Sequence, residues 1–176
     1  MKASYNDPVR QEATFDSSFW IHAVYLNLVG FLLDDYVLTC PTAVEIELGK
    51  GNPTALKLKT LCTEGMIRRA KPRVESITLY GHGERAAINL ALERKFLLLI
   101  DDWRPYEAAR AAGIETANTI AYLTHLLARD RLAVDEVMNA LAKIARRGTI
   151  KSEWIAVGLK LVAEIRHQRK KEGQEL

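Results

Sequence analysis

The sequence predicts an α/β protein, a three-layer α/β/α sandwich around a mostly parallel sheet, closed by C-terminal helices. Short apolar runs alternate with stretches of helical period, which is the pattern of a parallel sheet covered by helices. One of those runs, Phe96 to Ile100, is apolar without interruption, as a strand buried on both faces must be. From Val134 onward the period is helical only.

The elements follow in order. Glu12 to Phe15 is a first strand ending at Asp16-Ser17-Ser18, a junction whose side chains suit the free amides of a first helical turn. Phe19 to Leu33 reads as a helix broken near Gly30, and Tyr36 to Thr39 as a second strand. Pro41 starts a helix carrying Glu45 and Glu47, which Gly49 and Gly51 stop. A helix from Thr54 to Thr63 leads through a basic turn, Met66 to Arg73, to a strand or edge over Val74 to Tyr80. The helix from Glu84 to Lys95 shows Ala87, Ile88, Ala91 and Leu92 on one stripe, and the run from Phe96 stops at Asp101 and Asp102. Pro105 as first helical residue and Gly113 as stop bound a short helix over Tyr106 to Ala112. Ile114 to Ala117 is a last brief strand, and Asn118 opens a helix to Arg129. Two amphipathic helices close the chain: Val134, Val137, Met138, Leu141 and Ile144 form one stripe, ended by Gly148. In the other, Ser152 is the cap and Ile155, Leu159, Val162 and Ile165 form the stripe.

A chain of 176 residues, 48% hydrophobic and 27% charged, can bury a substantial core without disulfides. It is expected to form a single domain over 1–176, with a core at 10–130 and a helical extension at 131–168. The net charge of +3 selects no partner, but its distribution is uneven: Lys57, Lys59, Arg68, Arg69, Lys71 and Arg73 stand against Glu64 alone, and the tail runs RHQRKK from Arg166. Such groups suit phosphates, although a solvated face is their commoner meaning. Cys40 and Cys62 lack metal or redox spacing, the leading MKASYNDPVRQEATF has no apolar signal core, and no stretch is long enough to span a bilayer. The expectation is a soluble, cytoplasmic protein with free thiols.

The acids carry the chemistry. Asp16 ends the first strand, Glu47 lies on the helix after the second, Glu84 stands in the first turn of its helix, and Asp101 with Asp102 ends a central strand. Repeated βα units could bring these to one sheet edge, where open α/β sheets put their ligands. Carboxylates gathered in one place repel one another, and a hard divalent cation is the usual reason they are tolerated. All-oxygen donors favour Mg²⁺ or Mn²⁺, one ion or two, and metal-assisted phosphodiester hydrolysis is the chemistry that follows.

These residues resemble the PIN-domain ribonucleases, and within them the prokaryotic VapC-like proteins. Asp16-Ser17-Ser18 is similar to the family's opening Asp followed by Thr or Ser, Pro41 to Leu48 (PTAVEIEL) to its helix ending in Glu-Leu, and Gly83-Glu84 before AAINLAL to its third acidic position. Leu98 to Asp102 (LLIDD) resembles the strand that delivers the last acid, and Asp130 to Ile165 the helical end of one PIN-like branch of nucleic-acid-binding proteins. The chain departs from the pattern at EATF, less apolar than the usual first strand, at Trp103-Arg104-Pro105-Tyr106, where Gly-Arg is often found, and at Asn118-Thr119, where Gly-Thr is usual. The resemblance implies that Asp16, Glu47, Glu84 and Asp101 or Asp102 form a catalytic Mg²⁺ or Mn²⁺ site. It implies cleavage of RNA, a homodimer, and in many members a toxin held inactive by an antitoxin. Arg68, Arg69, Lys71, Arg73, Trp103 and Arg104 are the candidate nucleic-acid contacts.

Two other classes of function share the same residues. GHGERA at Gly81 to Ala86 matches the dinucleotide fingerprint, with Asp101 or Asp102 about twenty residues further on as the ribose acid. It explains one patch and leaves Asp16 and Glu47 without a part. A binding module without catalysis would hold RNA or protein on the basic 57–73 segment or on the C-terminal helices. His82 reads as a turn residue; His22, His125 and His167 have no metal spacing; Trp20 and Trp154 read as packing residues.

Overall fold

In the computed structural model, which describes residues 10–171, five strands form one sheet in the order β3-β2-β1-β4-β5. They are β1 (Gln11–Phe15), β2 (Tyr36–Pro41), β3 (Arg68–Ala70), β4 (Leu97–Leu99) and β5 (Thr116–Ala117). Every pairing is parallel, so the expected α/β sandwich on a parallel sheet is what the chain forms. The polar lead ahead of Arg10 lies outside the described residues. The chain steps from β1 through β2 to β3 at one edge and then returns to the other side of β1 with β4. The β1–β4 boundary is therefore the switch point, where open α/β sheets place the ligand crevice at the C-terminal strand ends. The Asp16 amide donates to the Leu99 carbonyl at 3.1 Å, carrying the β1–β4 ladder to the lip of that crevice.

Strand alternation divides the core in two. Ala13, Phe15, Leu38, Cys40, Leu97 and Leu99 join the larger half. It includes Phe19, Trp20 and Ala23 of α1 (Ser17–Tyr25), Leu32 of α2 (Val29–Asp35), Leu58 and Leu61 of α4 (Pro53–Thr63), and residues of α7 (Thr119–Ala128), α8 (Val134–Arg147) and α9 (Ser152–Lys171). Leu98 and Ile100 join the other half with Ala87, Ile88, Leu90 and Ala91 of α5 (His82–Arg94) and Ala109 of α6 (Trp103–Ala111). The run from Phe96 to Ile100 is buried throughout, as its unbroken apolarity requires. Each fully buried Phe or Leu in it contributes about 1.5–3 kcal/mol.

Four local expectations are corrected. The first helical stretch breaks at Asn27, which takes the left-handed conformation (φ 58°), while Gly30 lies inside α2. Val74 to Tyr80 forms no strand; the edge strand is β3, inside the basic turn, paired with Thr39 to Pro41. Asp102 caps α6 by accepting from the Arg104 amide, so that helix starts at Trp103 and Pro105 is its third residue. On α9 the buried residues are Trp154, Gly158 and Val162, while Leu159 is 42% exposed. The stripe shifts because Gly158 is where α9 closes on its neighbours: a Cβ there would stand 2.6 Å from Cγ2 of Ile120 and 3.2 Å from Cδ2 of Leu141.

Gly158→Val should therefore force α9 away from α7 and α8 and destabilise the fold by about 1–3 kcal/mol, as overpacking does. A urea midpoint unchanged from wild type would show that the seam is looser than these distances indicate.

Candidate active site

Asp16 has no solvent exposure. Its Oδ1 accepts from the Phe19 amide at 2.8 Å and caps α1, which explains why an acid is tolerated at this junction. Its Oδ2 is buried and has no hydrogen-bond partner. Burial pushes the Asp16 carboxyl well above its ordinary value of 3.8, and the Asp101 and Glu84 charges push it further; the amides of Phe19 and Ser18 oppose them.

Asp101 is 4% exposed, yet fully engaged. Its Oδ1 accepts from the Thr119 amide at 2.7 Å, and its Oδ2 from the Thr119 hydroxyl at 2.6 Å. Oδ2 also lies 2.6 Å from Nδ1 of buried His22, whose Nε2 is 2.8 Å from the hydroxyl of Thr149. One knot thus joins α1, the end of β4, the start of α7 and the segment between α8 and α9. His22 has no metal spacing in the sequence, and nothing there marks Thr149. The Thr119 contacts occupy the place where the family pattern has Gly-Thr. Asp102, by contrast, is exposed, so the two aspartates that alternation left undecided point to different environments.

Glu47 closes α3 (Thr42–Glu47) and Glu84 stands in the first turn of α5. The Ser17 hydroxyl donates to Glu47 Oε2 at 2.7 Å, so Asp16 caps the helix while its neighbour steers a second acid. Gly83 is what lets Glu47 in: a Cβ there would collide with the Glu47 carboxylate. Glu84 Oε2 accepts from the Gly81 amide at 2.9 Å. Partial burial pushes the Glu84 carboxyl up, the Gly81 amide opposes this, and the charges of Asp102 and Glu47 add to the rise. The acids thus act on one another electrostatically, although no three His, Cys, Asp or Glu side chains among the described residues stand so that they could hold a metal ion as placed.

The expected nucleic-acid contacts separate. Arg69 forms a bidentate pair with Glu45 at 2.7 and 2.9 Å, and its guanidinium draws the Glu45 carboxyl down. Arg68 meets Glu12 at 3.0 Å and Arg73 meets Glu93 at 3.9 Å. Lys71 pairs with no acid among the described residues. Trp103 belongs to an aromatic group with Trp154, ring centroids 5.2 Å apart, and carries the Lys151 ammonium 3.9 Å from its ring centroid. Arg104 is exposed.

One observation leaves room for a cation: Asp16 Oδ2 is a buried acceptor with no donor, and the charges of Asp101 and Glu84 add to the rise of its carboxyl. The dinucleotide fingerprint fits poorly, because no strand leads directly into Gly81 and the turn faces Glu47 and Glu84, anions where a pyrophosphate would have to lie. No described helix is long and apolar enough to cross a membrane.

Fold and site together define a parallel-sheet α/β protein with acids at its switch-point crevice. A family model described as a PIN domain matches residues 14–164, and the chain belongs to that family. PIN domains are in general nucleases. No curated protein matches the chain.

Two outcomes follow. Removing His22 leaves Asp101 buried without one of its partners, so His22→Ala should cost roughly 3 kcal/mol, read as a lowered urea midpoint. Asp16→Asn keeps the cap and removes the repelling charge. A carboxyl whose pKa is raised by folding holds a proton that the unfolded chain has lost, so between the two pKa values stability falls as pH rises. Without metal, Asp16→Asn should therefore match wild type in acid and gain on it as pH rises above 3.8, by about 2–4 °C in Tm for each kcal/mol relieved. A gap that narrows with rising pH would contradict this sign.

Proposed function

We propose that the protein is a metal-dependent endoribonuclease that hydrolyses RNA phosphodiester bonds at the crevice between β1 and β4. The observation that carries this reading is the partnerless, fully buried Oδ2 of Asp16 in the field of Asp101 and Glu84. The family supports the nuclease class.

Asp16, Glu84, Glu47 and Asp101 or Asp102 would hold Mg²⁺ or Mn²⁺, the ions that all-oxygen donors favour. A cation held there would supply Lewis acidity toward a phosphoryl oxygen and a lowered pKa for water, the chemistry that phosphodiester hydrolysis requires. Asp16 is held in place by the Phe19 amide, so it presents Oδ2 with little loss of rotamer freedom. Ser17 aims Glu47, and the Gly81 amide aims Glu84. Thr119 and His22 fix Asp101 through three hydrogen bonds, leaving at most one of the about four acceptor directions of a carboxylate for anything else. On this geometry Asp101 supplies mainly charge and position at the floor, and the exposed Asp102, one oxygen of which caps α6, offers its other oxygen at the rim.

Cleavage of labelled RNA with Mn²⁺, run on wild type and Asp16→Asn purified identically, tests the reading. The substitution should lower the rate at least about 100-fold, whereas equal cleavage by both would expose a contaminant and sink the assignment. Mn²⁺ at a hundredfold excess over Kd should stabilise wild type by about 2.7 kcal/mol and raise its Tm by several degrees. Asp16→Asn should lose that rise.

A further inference from the structure

Beside the acids, on the α3–α5 side, lies a pocket of about 200 Å³ whose lining includes Thr42, Ile46, Lys71, Glu75, His82 and Arg85. It adjoins the site through both helices: Thr42 opens the helix that ends in Glu47, and His82 and Arg85 flank Glu84 on α5. Lys71 differs from the rest of the basic segment. Arg68, Arg69 and Arg73 are each matched to an acid, whereas Lys71 is not matched to any among the described residues. Arg85 has several partners: its guanidinium donates to His82 Nδ1 at 3.0 Å and to the Thr78 carbonyl at 3.4 Å, and it pairs with Glu75 at 3.6 Å. The contact from Arg85 makes Nδ1 the acceptor of the His82 ring, so its Nε2 carries the proton and is a donor. Thr42 contributes a hydroxyl whose partner is the Ala70 carbonyl at 3.3 Å, a long bond.

We propose that Lys71, Arg85 and His82, with Thr42 at the wall, form a subsite for a backbone phosphate of the RNA strand, next to the phosphate that is cut. The inference rests on the nuclease reading and adds the direction in which the strand leaves the crevice, across the start of α3 and α5. Ammonium, guanidinium and imidazole donors around a small concavity suit a phosphodiester, whose two free oxygens are acceptors only. Glu75 is the intramolecular carboxylate that an arriving phosphate displaces from Arg85. Lys71, exposed and without an acid to leave, meets the strand with no such competition.

The experiment is binding of a fluorescein-labelled single-stranded RNA to the full chain in EDTA, by anisotropy across a salt series, so that no cleavage occurs. Two charge-matched pairs separate a local site from the general field. Lys71→Ala should weaken binding up to about fivefold, the weight of one exposed ion pair, and lower the salt slope by about 0.7, one phosphate contact on a single strand. Lys143→Ala, on the exposed side of α8, should change neither. Glu75→Gln should strengthen binding, and Glu164→Gln, whose partner is Lys160 on α9, should not. Equal effects within each pair overturn the subsite, because only net charge would then matter. Binding by wild type that ignores Lys71 overturns the subsite and leaves the nuclease reading standing; a wild type that binds no RNA overturns both.

Discussion

A carboxyl group without solvent, surrounded by others of the same charge, is the constraint on which this structure depends. Asp16 sits where the sheet reverses its strand order, so it is enclosed by β1, β4 and α1 and cannot turn outward. Its neighbours make that burial bearable in stages. One oxygen is absorbed by the cap of α1, and the other is left unsatisfied. A buried, partnerless oxygen costs free energy of the order of 1–3 kcal/mol, and a fold keeps such a group only where some other requirement outweighs it. The raised pKa values of Asp16 and Glu84 are the same fact in another form: metal-free, the site is destabilised as it ionises.

The second aspartate is treated in the opposite way, and the contrast divides the site into a floor and a rim. Asp101 is saturated by Thr119 and His22, and through His22 it is connected to Thr149, beyond α8. The C-terminal helices therefore do more than cover a hydrophobic face. Trp154 and Val162 of α9 and Val137, Leu141 and Ile144 of α8 belong to the same half of the core as Phe15 and Trp20, and the segment between those helices carries the outer end of the polar knot. Packing of α8 and α9 thus bears on the position of Asp101 by direct contact through two side chains.

How much of this was legible in the sequence depended on whether the signal was periodic. The buried run from Phe96, the caps at Asp16 and Asn118 and most of the α5 stripe are local patterns, although Leu92 of that stripe is 40% exposed and Leu90 is buried instead; the acids could be placed at strand ends because strands and helices alternate. Polar contacts between distant positions leave no such mark. His22 and Thr149 are 127 residues apart, and the pairing of Arg69 with Glu45 depends on β3 lying beside β2. That same strand was misplaced because three residues with two arginines, Arg68 and Arg69, look like a basic turn. An edge strand needs only a backbone ladder on one side and tolerates charge on the other. Gly158 was missed for a related reason. Hydrophobic periodicity finds the side chains that fill a seam, and here the seam is closed by the absence of one.

The glycine-bearing turn at the head of α5 shows why local patterns can mislead about chemistry while reporting the physics correctly. Gly81-His82-Gly83 before a helix resembles a phosphate-binding fingerprint, which works because small residues let an anion approach the positive end of a helix. The anions at this helix are the protein's own. Glu84 folds back onto the Gly81 amide, and the Glu47 carboxylate occupies the space that a Cβ at Gly83 would take. The helix end thereby offsets part of the repulsion among the acids, and the missing side chain lets α3 come close enough to share it. The turn thus serves to assemble negative charge from within the chain, and an anionic strand must approach it from the side, where Lys71 and Arg85 line the neighbouring pocket.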